Sequence, residues 1–486
     1  MSKWTGAEWR TLLDEWDQMV RLGRGAEVRE ILKNIRVGHV PRSLLAPFCG
    51  VARRCQMWES ALSALKPYIY PKVARASSSS PQERVEYALS LRRAGALQEA
   101  ERILSDPALI HEPRAILAKA FGHMGKWDYG QALTQLDHFV EISDPADYET
   151  LVARVNQLAC LSFLGDGRYD ALAEDLLIQL QANRPGLLLA NYLEISAQRF
   201  ISTGGFESAL KQLNKANQLL SKDEGPYLML IKKWIRIVQA VRDSSVEDLL
   251  AFRKEALKVH DWETLRHLDF YVTKLDPHSI WSNRVYFGTP FSSFREKLEE
   301  IRPFPNETWV QGDLHAKSEF DPWFPGVEEG DIVHRLMVFL LRDWYRPASL
   351  GGIFDSLYEG EHFDIETSGL RVRQQISRLK NRLSENGFPF RLFQLQGQYY
   401  LRTMIDYRIL MRKTDLEFSR VGFVFGRYRD RINTPLDAEA WAKQMKVTVR
   451  QSIYLLKQGL ESGWICKIGR GRYTRYLLTP QTQIRT

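Results

Sequence analysis

Residues 191–219, NYLEISAQRFISTGGFESALKQLNKANQL, read as two helices joined by a short turn. In the first, Leu193, Ala197 and Phe200 lie four and then three apart, the spacing that stacks side chains on one face of an α-helix. In the second, Phe206, Ala209, Leu213 and Ala216 do the same. Alanine suits the point where two helices cross closely, and an aromatic ring wedges between successive pairs. Such a unit buries little by itself, so it implies neighbours of the same kind.

Neighbours are present. An aromatic residue or Leu, then Ala three later and Leu four after that, recurs as Trp58-Ala61-Leu65, Leu97-Ala100-Leu104 and Tyr129-Ala132-Leu136, with Tyr169-Leu172-Leu176 as a weaker copy before Phe206-Ala209-Leu213. The starts are 39, 32, 40 and 37 residues apart. The series resembles the tetratricopeptide repeat (TPR), a helix-turn-helix of about 34 residues. Cys49 and Cys160 each precede their aromatic by nine residues, where Ala197 stands in the best copy, so both are expected to be buried and structural. The signal fades after about residue 220, although LLAFRKEALKVHDWETLRHLDFYV still reads as helical and suits a degenerate or capping pair. A TPR-like helical-repeat domain is expected over 1–285, with ASSSSPQ at 76–82 as a loop between repeats. The concave face of such a solenoid would receive a protein, a peptide or a small effector.

A chain of 486 residues is too long for one core and should divide into several domains. No apolar stretch is long enough to span a bilayer, and the start MSKWTGAEWR has no secretory pattern, so no membrane and a cytoplasmic setting are expected. Cys49, Cys55, Cys160 and Cys466 have neither disulfide-framework nor zinc-finger spacing. The net charge of +8 is divided unequally: residues 370–486 hold 23 Lys and Arg against 8 Asp and Glu, a net +15, which leaves −7 on residues 1–369. A basic C-terminal third on a mildly acidic body is the pattern of a chain that meets a polyanion.

Residues 286–330 hold five of the 20 prolines and several aromatic residues, which suggests a packed junction. From Asp331 three helical stretches follow, DIVHRLMVFLLRDWY, SLGGIFDSLYEG and ETSGLRVRQQISRLKNRLSENG, and then FPFRLFQLQGQYYLR, a hairpin turning at Gln396-Gly397. Three helices and a hairpin is the order of a winged helix. In the third helix Val372, Ile376, Leu379 and Leu383 form the apolar stripe. Arg371, Gln374, Arg378 and Asn381 then face outward, flanked by Arg373, Lys380 and Arg382, and no acidic residue occurs from 367 to 384. Arg suits guanine, Gln and Asn suit adenine, and flanking cations suit phosphate. The run Gln375 to Leu383, with Gly397, Tyr400 and Leu401 in the hairpin, resembles the OmpR/PhoB-type winged helix, which implies that Arg371 to Arg382 enter a major groove. Gln396 and Tyr399 depart from that family's wing, and no phosphoacceptor domain accompanies it. The expected span is 331–403, followed by a connector at 404–433.

Residues 434–480 repeat the plan. Leu436 to Met445 read as a short helix, Lys446-Val447 as a turn and Thr448 as the N-cap of the next helix, with Ala442 at the crossing. Val449, Ile453, Leu456 and Leu460 are expected inside, with Gln451, Tyr454 and Gln458 opposite and Arg450 and Lys457 beside them. WICKIGRGRYTRYLL reads as a hairpin with Gly469-Arg470-Gly471 at its tip, crowded by Lys467, Arg470, Arg472 and Arg475. The stretch resembles the MarR/GntR-like winged helices, which implies DNA contact by Thr448, Arg450, Gln451 and Tyr454.

Catalytic signatures are missing. KIGRGRY lacks the spacing of a phosphate-binding loop, His260 and His267 are seven apart with no third ligand in view, and Asp313 and His315 stand alone in the junction. The expectation is a mainly α fold, a TPR-like α-solenoid followed by two winged-helix (α+β) domains. It would act as a bacterial-type transcriptional regulator that binds double-stranded DNA, without enzymatic activity, cofactor or metal. Homo-oligomerisation is left open. The alternative is an adaptor that uses the solenoid and the winged helices to bind proteins and not DNA.

Overall fold

The computed structural model describes residues 4–21, 24–71, 78–183, 186–220, 226–311, 318–320, 331–386, 390–395, 397–403, 407–413, 420–426, 428, 432–445 and 447–479. The protein is mainly α. Helices α1 (Gly6–Arg21) and α2 (Gly25–Lys33) precede a series of antiparallel pairs. These are α3 (Leu45–Arg54) with α4 (Trp58–Ile69), α5 (Pro81–Ala94) with α6 (Leu97–Leu104), α7 (Pro113–Met124) with α8 (Tyr129–Ile142), α9 (Tyr148–Leu164) with α10 (Tyr169–Asn183), and α11 (Gly186–Ser202) with α12 (Phe206–Leu220). Beyond the point where the sequence signal fades come α13 (Pro226–Arg242) with α14 (Val246–Lys258), then α15 (Trp262–Leu275) with α16 (Ile280–Phe287), and a short α17 (Ser292–Glu299).

Every quoted motif begins at the first residue of the second helix of its pair. Ala61, Ala100, Ala132 and Ala209, and Leu65, Leu104, Leu136, Leu176 and Leu213, are all buried. Cys49 and Cys160 are buried with Ala197, and burial pushes both thiols up to about 12, which keeps them inert. The turn before the second helix carries its own mark. Gln56, Gly95, Trp127, Gly204 and Ser244 have positive φ and stand two residues before α4, α6, α8, α12 and α14, while Gly165 stands four before α10. Only three of these six are glycine, although φ > 0 is uncommon for other residues. A backbone requirement therefore continues where side-chain resemblance has faded. Ser80 caps α5 reciprocally with Glu83, so Pro81 and Gln82 of the expected 76–82 loop belong to the helix, and residues 76 and 77 lie outside the described residues.

Strands β1 (Glu307–Gln311) and β2 (Ser318–Phe320) flank a later strand, β5 (Tyr407–Arg412), antiparallel and parallel respectively. The proline-rich junction and the connector are thus stitched into one small sheet, with Val310, Ile409 and Met411 buried.

Between them lies the first basic module: α18 (Ile332–Arg342), α19 (Leu350–Leu357), α20 (Thr367–Glu385) and the hairpin of β3 (Phe390–Leu395) and β4 (Gln398–Thr403). Ala348 pairs with Tyr399, adding one residue of a third strand to the hairpin. The last module has the same order: α21 (Arg420–Gly426), the bridging residue Leu436 paired with Tyr476, α22 (Ala438–Met445), α23 (Val449–Glu461), and the hairpin of β6 (Ile465–Ile468) and β7 (Arg475–Leu478). It starts near residue 420 and not 434, because Val421 and Phe425 of α21 share a core with Trp441, Leu456 and Ile465. The rest of the molecule, from Trp9 to Met411, has one continuous apolar core. Among the described residues no helix is long and apolar enough to cross a membrane.

Candidate nucleic-acid interface

The start of α20 is fixed from outside the helix. Asp364 accepts hydrogen bonds from Thr367 N (2.8 Å) and Thr367 Oγ1 (2.9 Å) and pairs with Lys66 of α4. Burial opposes the charge, yet those donors hold the Asp364 carboxyl down at about 2. Val372, Ile376, Leu379 and Leu383 are buried, as the sequence predicts, with Ser368, Gly369 and Gln375 beside them. Arg373, Gln374, Arg378, Lys380, Asn381 and Arg382 are exposed. Their own contacts are weak: Arg378 Nη1 donates to Gln375 Oε1 at 3.3 Å, and Arg382 meets Glu385 at 3.9 Å. Arg371 differs from the rest. It lies over the Tyr358 ring at 3.8 Å and donates to Glu361 at 3.1 Å, so it is engaged within the module.

Helix α23 is set differently from its sequence reading. Val449 and Ile453, expected inside, are 42% and 52% exposed, and the buried residues are Ser452, Leu455, Leu456 and Gly459. At 100° per residue this turns the helix by ~80°. The reason is close packing at small residues, which a hydrophobic count does not see. Ser452 Oγ donates to Ala438 O at 2.9 Å, and a Cβ on Gly459 would stand 2.5 Å from the Phe425 ring. Arg450, Tyr454 and Lys457 consequently share the outward line.

Two of the residues expected to contact DNA are occupied in building the helix. Thr448 and Gln451 form a reciprocal capping box. Tyr454 Oη donates to Glu359 O at 3.1 Å and accepts from Gln458, so it docks on the loop before α20. Gly360 is required there: its φ is +85°, and a Cβ would lie 2.3 Å from Tyr454 Oη. In the hairpin Lys467 and Arg470 are exposed, and Arg475 pairs with Asp437 at 3.0 Å. The Arg472 side chain and Gln396 lie outside the described residues.

What sequence periodicity does not reveal is the clamp between the repeats and the first module. Asp355 of α19 accepts from Gln98 N (2.5 Å) and Glu99 N (3.3 Å), the free amides at the start of α6. A Cβ on Gly351 would stand 2.3 Å from Ala94 O, so backbone meets backbone at this contact. On the other side Arg266 donates to Asp343 at 2.8 Å, and Trp344 N donates to Gly288 O at 3.0 Å. Tyr345 Oη reaches Asp269 at 2.5 Å, and the Arg253 guanidinium, 2.6 Å from Asp269, completes that buried pair. One face of the hairpin leans on the same body, Tyr400 standing 5.8 Å from the Trp262 ring.

The two histidines seven apart do not share a helix. His260 sits in the turn before α15 with φ 58°, whereas His267 lies half-buried within α15. Burial pushes His267 well below its ordinary value, helped by Lys233 Nζ 3.2 Å away. Among the described residues no three His, Cys, Asp or Glu side chains are grouped to hold a metal ion, and Asp313 and His315 lie outside those residues. Compared with known protein families and with curated proteins, the chain matches no family model and no curated protein.

Proposed function

We propose that this protein is a DNA-binding transcriptional regulator of bacterial type, acting in the cytoplasm, in which α20 enters the major groove of double-stranded DNA. On this reading residues 1–285 are a TPR-like solenoid that receives an effector or partner, and residues 331–403 and 420–479 are winged helices. The observation that carries it is the outward face of α20. Four cations, Arg373, Arg378, Lys380 and Arg382, are exposed there with Gln374 and Asn381 between them, and the nearest acid on the helix is Glu385. An ordinary solvated helix face mixes signs and gains from the pairing. An all-cationic face with amides suits phosphates and base edges.

A second reading applies to the last module. Val449 and Ile453 expose apolar surface where base-reading residues were expected, and Tyr454 is bonded to another module. These features favour protein contact by α23, so the adaptor reading is kept for that module alone.

The test is duplex binding across a salt series. If the four cations of α20 each neutralise one phosphate, log K falls against log salt with a slope of about −3.6, roughly a 10²-fold loss between 50 and 200 mM. Binding that ignores salt, or stays at background at low salt, rejects DNA as the partner.

A further inference from the structure

Between α5, α6 and α7 of the repeats on one side and the end of α18, residues 343–349 and β4 on the other lies a cavity of about 1260 Å³. That exceeds the usual size of a small-molecule site. Its wall carries nine Arg and Lys side chains against three Asp and Glu. The three acids are already engaged: Glu101 with Lys126, Asp343 with Arg266, and Asp355 with the amides of Gln98 and Glu99. Four of the cations are also neutralised, since Arg53 pairs with Glu86, Arg54 with Asp17, Lys126 with Glu101 and Arg284 with Asp269.

Five cations remain. Arg92 donates only to the neutral carbonyl of Ala118, and Arg93, Lys119, Arg342 and Arg346 have no carboxylate partner among the described residues. Arg92 and Arg342 lie deep between the two bodies, where desolvation pushes both guanidinium groups down, yet both remain partly exposed because they face the cavity. Glu101 acts on Arg92 and Asp343 and Asp355 on Arg342 from a distance, but among the described residues no carboxylate forms an ion pair with either, so an arriving anion meets two partly desolvated guanidinium groups. The same wall is aromatic as well as basic. Trp262 and Tyr400, with ring centroids 5.8 Å apart, and Trp344 offer flat apolar surface beside the charges.

We infer that this cavity binds a nucleotide carrying two or more phosphate groups, the phosphates on Arg92, Arg93, Lys119, Arg342 and Arg346 and the base against the aromatic wall. The inference deepens the reading of the repeats as an effector-receiving domain and rests on that part of it, not on DNA binding. Arg92, Arg93 and Lys119 come from the repeats and Arg342 and Arg346 from the first module. A bound nucleotide therefore cross-links the two bodies and stabilises their docked arrangement, as any ligand does that binds only the folded form.

The experiment is calorimetric titration of the full chain, without DNA, by ATP, ADP, AMP, adenosine and sulfate, with thermal unfolding alongside. ATP and ADP are expected to bind and to raise the unfolding temperature, with adenosine and sulfate at least tenfold weaker. Lys119→Ala and Arg342→Ala should each weaken ATP at least tenfold, and Lys119→Ala should leave the ligand-free unfolding temperature unchanged. Arg93→Ala, a surface change, serves if Arg342→Ala does not fold. Arg382→Ala, on the outer face of α20, should leave ATP binding intact. No nucleotide binding at millimolar concentration overturns the inference. So does sulfate binding as tightly as ATP, which marks an adventitious anion only, and so does binding of single-stranded oligonucleotide without mononucleotide. The salt series on duplex DNA fails or succeeds independently of all of these.

Discussion

The two basic modules share an order of elements and differ in what surrounds their last helix. Helix α20 belongs to a module whose apolar core is continuous with the repeats, and its outer face keeps Arg373, Arg378 and Lys380 clear of acids. Helix α23 belongs to a module with a small core of its own, and its outer face spends Thr448 and Gln451 on a cap and Tyr454 on the loop at Glu359. Element order therefore does not decide what a helix can touch. That is decided by how the helix is rotated on its core and by which of its polar groups are used at home. In this protein the clamped module has the freer face.

The clamp is the place to break the comparison most severely. Asp269 is fully buried beside Arg253 and Arg284 and accepts from Tyr345. Asp269→Ala leaves buried guanidinium groups uncompensated and should cost about 3–5 kcal/mol. Because the last module has a separate core, calorimetry should show the transition of the repeats and first module moving down while that of the last module stays. Equal movement of both would show that the two cores unfold as one.

A pH series separates the modules next. His334 is buried in α18, and burial pushes its imidazole down to about 4. The unfolded chain takes up this proton near pH 6.5, the folded chain only near 4. Stability is thus lost as pH falls through that window, by roughly 3 kcal/mol. Residues 420–479 contain no histidine, so the last module should stay level down to about pH 5. His334→Leu should reduce that slope, as read by urea midpoints at pH 7, 6 and 5, leaving the part that His267 supplies and that Asp355, pushed up to about 6 by burial, opposes.

What could be read in advance follows the range of the interaction. Local periodicity carries the repeat motifs, the Val372-Ile376-Leu379-Leu383 stripe and the Thr448 cap, all set within one or two turns of helix. It misplaces α23 because Ser452 and Gly459 score as polar and neutral while serving as the contact surface. It cannot pair Glu307 with Arg412 or Asp355 with Gln98, where partners stand 105 and 257 residues apart. The cations of the cavity are equally hidden, being drawn from positions 92 to 346 with no shared spacing. Of the residues proposed for DNA, the exposure of Arg373 to Arg382 on α20 was legible from composition and phase. Arg371 was not, because Tyr358 and Glu361 that engage it lie in a different element.

Matched substitutions then sharpen the contrast between the two faces. Arg378→Ala should weaken duplex binding by about 1–3 kcal/mol and relax preference at one base position. Arg450→Ala should cost less, because its neighbours on α23 are the exposed Val449, Ile453 and the engaged Tyr454. Equal losses from the two, measured on one duplex at one salt concentration, would restore α23 as a second reading helix.

The smallest expected effect is the most discriminating. Tyr454→Phe keeps the ring and removes only the hydroxyl that bonds to Glu359 O. If that hydroxyl serves to hold the modules together, its loss costs about 0.5–1.5 kcal/mol of coupling between them. Amide exchange at residues 359–361 should then quicken while duplex affinity stays the same. If Tyr454 instead leaves Glu359 to meet a base, affinity falls and exchange at the loop does not change on mutation. The two outcomes move different observables, so a single hydroxyl decides whether the exposed edge of α23 faces DNA or the neighbouring module.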